Sequence, residues 1–276
     1  HGTAIISSAA LVNALELARK KIDRIKIVVS GAGAAAMSCV KLYCALGAKV
    51  ENIWMFDSKG LIWQGRSDLD ESKVIYSNHK KEVTLDEALK KSDVFLGLSK
   101  GNIVSKEMIA SMAKDPIVFA LANPEPEISY KDATSVRKDI IMATGRSDHP
   151  NQVNNVLGFP YIFRGALDVR ATKINEEMKL AAVKAIASLA KETIPEEVVE
   201  AYGEKSISFG RDQIIPKPLD PRLIYYVAPA VARAAMESGV AKHPIKDWDA
   251  YEMELKNRLG LDNKLIRNIT EKAQSN

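Results

Sequence analysis

Residues 26–36 read Lys-Ile-Val-Val-Ser-Gly-Ala-Gly-Ala-Ala-Ala, and this stretch constrains the fold more than any other. A short β-branched apolar run, Ile27-Val28-Val29, breaks at Ser30-Gly31-Ala32-Gly33. Such a run bounded by glycines predicts a strand buried on both faces. Ala34 to Leu46 then reads as a helix, stopped at Gly47, where a left-handed residue can end the last turn. Asn52-Ile53-Trp54-Met55-Phe56 predicts a second strand, ending at Asp57. Two strands joined through a helix must run parallel, and their crossover is right-handed.

The pattern continues along the chain. Asp93–Gly97, Ile117–Leu121 and Ile140–Ala143 are further apolar runs of strand length. Thr84 and Ser105 are positioned to cap short helices between them, the second over Lys106–Ala113. Alternating strands and helices predict an α/β fold, a doubly wound parallel sheet. Residues 4–22 read as an amphipathic helix ahead of the first strand. Residues 58–82 are polar, with Gly60 and Gly65 as turn points, and Ser67–His79 reads as a solvated loop. Ile174–Lys191 predicts a long helix with Thr172 as its cap. Pro216-Lys217-Pro218 reads as a rigid connector. Asp220-Pro221 then opens another helix, the acid as cap and the proline in first position, with Pro229 kinking it. Trp248 to about Thr270 reads as an outer helical arm. The expected division is one domain over 1–240 and a C-terminal helical extension over 241–276.

Composition narrows the function classes. The 276 residues carry a net charge of +4 with the two signs interspersed, which disfavours a nucleic acid partner. No apolar run is long enough to span a membrane. Cys39 and Cys44 lie five apart on one predicted helix and point in different directions, so they read as free thiols of a reducing, cytoplasmic compartment.

The loop at 31–36 fits G-x-G-x-x-A at the start of a helix, where each position has a physical task. Gly31 permits the tight turn, Gly33 lets backbone approach a diphosphate, and Ala36 lets helix pack closely on strand. The first N–H groups of the helix and its positive dipole end then face the phosphates. Asp57 falls about twenty residues further on, at the end of the second strand, where an acid can accept from ribose hydroxyls. That acid argues for NAD over NADP, although Ser58 and Lys59 follow at once and could receive a 2′-phosphate. Asparagine-bearing loops follow the later strands: Asn123-Pro124-Glu125-Pro126-Glu127, and Asn151 through Pro160 with Asn154 and Asn155. Amide side chains at the carboxyl ends of parallel strands could hold a carboxamide and a carboxylate, or could simply shape turns. Glu125 and Glu127 read as solvated loop acids, and His79 and His149 as surface or turn residues.

Several motifs in one order resemble the malic enzymes of bacteria and archaea. They are His1-Gly2-Thr3-Ala4, the Gly31–Ala36 loop, Phe56-Asp57-Ser58-Lys59-Gly60-Leu61-Ile62, Ala122-Asn123-Pro124, Asn154-Asn155-Val156-Leu157-Gly158-Phe159-Pro160, Phe163-Arg164-Gly165-Ala166-Leu167-Asp168 and Ile215-Pro216-Lys217-Pro218. The resemblance implies a Rossmann-type NAD(P)-binding domain. It also implies oxidation of L-malate with loss of CO2 to give pyruvate, on Mg²⁺ or Mn²⁺, in a homodimer. It assigns Thr3, Gly31, Ala32, Gly33, Ala34, Ala35, Asp57, Ser58, Lys59 and Ser99 to the cofactor. Asn123 and Asn155 fall to malate and the nicotinamide end. The catalytic lysine–tyrosine pair and the metal carboxylates of that family lie upstream of its nucleotide domain. They are therefore expected from an N-terminal domain preceding His1, with none within this chain. A non-catalytic dinucleotide-binding module is the alternative.

Overall fold

The computed structural model describes residues 1–203 and 206–258. In chain order its elements are α1 (Gly2–Ala18), β1 (Ile27–Ser30), α2 (Ala34–Ala45), β2 (Ile53–Asp57), β3 (Gly60–Leu61), α3 (Glu71–Val74), α4 (Leu85–Leu89), β4 (Val94–Gly97), α5 (Lys106–Ala110), β5 (Ile117–Ala120), α6 (Tyr130–Val136), β6 (Ile141–Thr144), α7 (Phe159–Asp168), α8 (Glu176–Leu189), α9 (Glu196–Ala201) and α10 (Leu223–Glu237). A last helix runs from 248 through 258. The remainder of the predicted outer arm lies outside the described residues.

The strands form one sheet in the order β3-β2-β1-β4-β5-β6. Every pairing is parallel except β3 against β2, a tight return in which Phe56 faces Leu61 and Asp57 faces Gly60. From β1 the chain steps outward to β2, then crosses back to lay β4 on the other side of β1. The sheet therefore reverses direction between β1 and β4, and at such a point the strand ends splay into a crevice.

All four residues of β1, β4, β5 and β6 are buried, as strands covered on both faces require. Side chains alternate between two cores. Ile27, Val29, Ile53, Met55, Leu96, Phe119 and Ile141 point into the larger one, with α1, α2, α7, α8 and α10. Val28, Phe95, Val118 and Met142 point into the smaller one, with α4, α5 and α6.

The helix at the N-terminus departs from its amphipathic reading. α1 buries residues on every side, including Ser7, Ser8 and Asn13. It is packed between the sheet, α2 and α8, and Ala4 through Leu11 are all buried, so over that stretch it has no wet face to carry a polar stripe; Glu16, near its end, is exposed. The Asn13 amide donates to Ala187 O at 2.9 Å and Ile214 O at 2.7 Å, tying α1 to α8 and to the strand-like connector beyond it.

Two helix starts also differ. Asn175, whose side chain accepts from Met178 N–H, caps α8 in place of Thr172. α10 begins at Leu223, and Asp220 instead turns back on Arg222, accepting from its backbone N–H at 2.9 Å and from its guanidinium. α10 continues through Pro229. It crosses α7 at Gly165, where a Cβ would meet the Ala228 carbonyl, so the two backbones touch.

Candidate active site: a cleft at the strand ends

A cavity of about 1050 Å³ opens at the carboxyl ends of β1, β2 and β4. Ser30, Gly31, Ala32 and Gly33 floor it, Asp57 and Ser58 stand at one end, and Ser99 and Lys100 form a wall. Val83, Leu85 and Ile103 add an apolar side.

Gly31 has φ +118°, and a Cβ there would lie 2.7 Å from the Leu98 carbonyl oxygen. Only glycine makes that turn without strain. Gly33 is different. Its backbone is extended, and a Cβ would meet nothing within 4 Å. Its side of the chain is open space at the N-terminus of α2. That is the room a diphosphate needs beside unpaired helix N–H groups.

Asp57 is the most heavily engaged group in the cleft. Its Oδ1 accepts the Lys59 backbone N–H at 2.9 Å and Arg66 Nη1 at 2.8 Å. Its Oδ2 accepts Arg66 Nη2 at 3.0 Å and Lys73 Nζ at 3.5 Å. A carboxylate offers about four acceptor sites, so only the long Lys73 contact leaves one to give up. Burial pushes the Asp57 carboxyl upward, but hydrogen bonds from Arg66 and Lys59 outweigh it and hold the group below the usual carboxylate range. Arg66 also forks onto Asp68, through Nε and Nη2 at 2.9 Å each.

Arg66 lies in the segment read as polar, and Lys73 in the part of it read as a solvated loop. The segment is folded instead: β3 returns on β2, Tyr76 is buried, and α3 brings Lys73 to the cleft. His79, read as a surface residue, is buried. It hydrogen-bonds the Ile53 carbonyl at 2.8 Å and stacks on Trp54 with ring centroids 3.7 Å apart. Burial lowers its pKa, which suits a neutral ring inside the domain.

Glu127 reverses another expectation. It is a fully buried side chain, not a solvated acid. One oxygen accepts the Ser99 N–H and the other the Ala122 N–H, each at 3.1 Å. Glu125 is exposed as expected. His149 stacks on Tyr130 with ring centroids 4.9 Å apart.

Of the residues expected at the cofactor, the cleft gathers Gly31, Ala32, Gly33, Asp57, Ser58 and Ser99. Ala34 and Ala35 are exposed at the start of α2, directly behind Gly33. Lys59 points away to an ion pair with Asp68 at 2.7 Å. Thr3, Asn123 and Asn155 do not line this cavity. Asn123 opens the loop after β5, with its amide beside Gly145 in the loop after β6. Asn155 lies against Gly2, next to Thr3 at the start of α1. Among the described residues no three His, Cys, Asp or Glu side chains converge to hold a metal ion.

The family described as the malic enzyme NAD binding domain matches residues 1–201. An NADP-dependent malic enzyme of Haemophilus influenzae is 52% identical over 277 residues, covering all of this chain and 37% of that protein. An NAD-dependent malic enzyme of Rhizobium meliloti is 54% identical, covering 91% of this chain and 33% of that protein. The chain thus spans about a third of the length of these relatives. The crystal structure of Entamoeba histolytica malic enzyme superposes with a TM-score of 0.86 at 34% identity, covering 98% of this chain and 55% of that one. Glycine cradle, strand order and relatives agree, and the chain belongs to the malic enzyme family as its NAD(P)-binding domain.

Proposed function

We propose that this chain holds the coenzyme for the oxidative decarboxylation of L-malate to pyruvate and CO2. The observation that carries the reading is the cradle at Gly31–Gly33: a strained turn only glycine makes, followed by open space at a helix N-terminus. When bound, the coenzyme supplies the hydride acceptor. The chain's part is to grip, orient and keep water out. The diphosphate lies on the N–H groups of Gly33, Ala34 and Ala35, with Thr3 near the adjoining ribose. The adenine rests between Val83, Leu85 and Ile103. Asn123 and Asn155 hold the carboxamide and the malate carboxylate from the strand-end loops.

The coenzyme we favour is the phosphorylated one. A free Asp57 carboxylate would repel a 2′-phosphate, but Arg66 neutralises it and fills most of its acceptor sites. Lys73 holds Asp57 only at 3.5 Å and lines the cavity, so it can turn to a phosphate beside Ser58. Lys59, already paired with Asp68, joins only by leaving that partner.

The base, the acid and the Mg²⁺ or Mn²⁺ ligands come from an N-terminal domain of the same polypeptide, in a homodimer in the cytoplasm. One nucleotide domain runs to about residue 240, with an arm beyond it. The test is direct. Calorimetric titration of the polypeptide carrying this chain should show NADPH binding, and replacing Gly31 by alanine should abolish it. This chain alone, given malate, NADP and Mg²⁺, should form no pyruvate. Absence of binding by the unaltered protein, or turnover by this chain alone, overturns the reading.

A further inference from the structure

Glu127 is a buried carboxylate without a counter-cation: among the described residues no lysine, arginine or histidine pairs with it. Its two oxygens instead face amide N–H groups from two different loops. Ser99 belongs to the loop after β4. Its hydroxyl lies 2.8 Å from that of Ser30, the residue before the Gly31 turn. Ala122 belongs to the loop after β5 and immediately precedes Asn123. The backbone reinforces the link, with Asn102 N–H donating to Pro126 O and Val104 N–H to Glu127 O, each at 3.0 Å. Gly97, at the end of β4, has no room for a side chain because Glu127 lies over it.

Burying an unpaired charge is costly unless its hydrogen bonds are strong and aimed. Burial pushes the Glu127 carboxyl up, and the amide N–H groups pull against that rise. Two N–H donors converging on one side chain require an acceptor at both ends. A carboxylate provides that, whereas a carboxamide places its own NH₂ against one of them.

We propose that Glu127 is a positioning residue, a clamp between the loops after β4 and β5 that sets Ser99 and Asn123 for the reactive end of the coenzyme and for malate. The proposal rests on the coenzyme reading above. It acts at the nicotinamide side of the cleft and not at the adenosine side, where Asp57, Arg66 and Lys73 stand.

Two probes separate these ends in the polypeptide carrying this chain: NADPH, followed by nicotinamide fluorescence, and adenosine 2′,5′-bisphosphate, followed by calorimetry. E127Q should weaken NADPH by about tenfold, as expected for one unmet buried donor, while the bisphosphate changes less than about twofold. Equal loss of both probes, or no loss of either, overturns the clamp. Should E127Q fail to fold, E127D keeps the charge one methylene short. It should show the same selective loss, and a parallel loss of both probes would overturn the proposal equally. Failure of the unaltered protein to bind either probe would instead remove the coenzyme reading, and the clamp with it.

Discussion

Two carboxylates, Asp57 in the cleft and Glu127 buried beside it, are kept in opposite ways. Asp57 accepts from two cations, Arg66 through two hydrogen bonds and Lys73 through one, and from one backbone N–H. Glu127, buried between the loops after β4 and β5, meets amide N–H groups and no cation among the described residues. The Asp57 carboxyl is held below its usual range and the Glu127 carboxyl above it. The contrast fits the two tasks proposed above. A cation-matched acid leaves local charge near zero or positive, so a phosphorylated ribose can approach. An acid matched only by dipoles holds loops at a fixed spacing without drawing an anion to itself.

The contrast can be broken most forcefully at Arg66. Arg66→Ala leaves Asp57 with only Lys73 and Asp68 with only Lys59 as cations, and should cost about 2 kcal/mol of stability in urea unfolding, less than stripping the only partner from a fully buried ion pair. It should also weaken NADPH more than NADH. Equal loss for the two coenzymes would remove the argument that neutralising Asp57 admits the phosphate. Asp57→Asn sharpens the same point from the other side. It frees Lys73 and part of Arg66, so the ratio of NADPH to NADH affinity should rise by about tenfold, the effect of one charge-assisted contact. An unchanged ratio would mean that Lys73 does not reach the phosphate.

Acid titration separates the two carboxylates by sign. Glu127 has a folded pKa above its unfolded value, so its charged form weighs against the fold at neutral pH. That penalty is relieved as pH falls through the folded pKa and is absent below the unfolded one. Asp57 has a depressed folded pKa, so its contribution is present above the unfolded value and lost as pH falls through the folded one. Stability measured by denaturant should therefore rise slightly on acidification toward the ordinary glutamate range, then drop below it. E127Q should lack the rise and keep the drop. A rise of equal size in E127Q would show that another group causes it. The smallest effect is expected at Thr84, which forms a capping box with Glu87 beside the apolar wall of the cleft. Thr84→Ala should cost about 1 kcal/mol and leave coenzyme selectivity alone.

The sequence displayed the parts of this site that depend on local geometry. Gly31 and Gly33 announce a turn into a helix N-terminus because their roles are local, a positive φ at Gly31 and the N-cap of α2 at Gly33. Strands β1, β2, β4, β5 and β6 are visible as apolar runs because both of their faces are covered. What stayed hidden depends on partners distant in the chain. Arg66 looks like any loop arginine until β3 folds back and brings it to Asp57. Glu127 follows Pro126 in a short loop that holds a second, exposed acid, Glu125, and nothing nearby hints that Ser99 N–H will meet it. Lys73 lies in a run of charges that reads as wet, and α3 turns it inward. The amphipathic reading of α1 failed for a related reason. Period alone distinguishes a one-sided helix from a bare one only when the opposite face is polar, and here the opposite face is alanine and serine.

That enclosed helix has a consequence for how freely this sequence can drift. Ala9, Ala10 and Ala14 have no exposed surface, so any larger replacement must push a neighbour aside. A map of tolerated substitutions should therefore show α1 from Ala4 to Leu11 as intolerant around its whole circumference, like a β-strand at the centre of the sheet. A helix with one free side would alternate between strict and permissive positions every three or four residues.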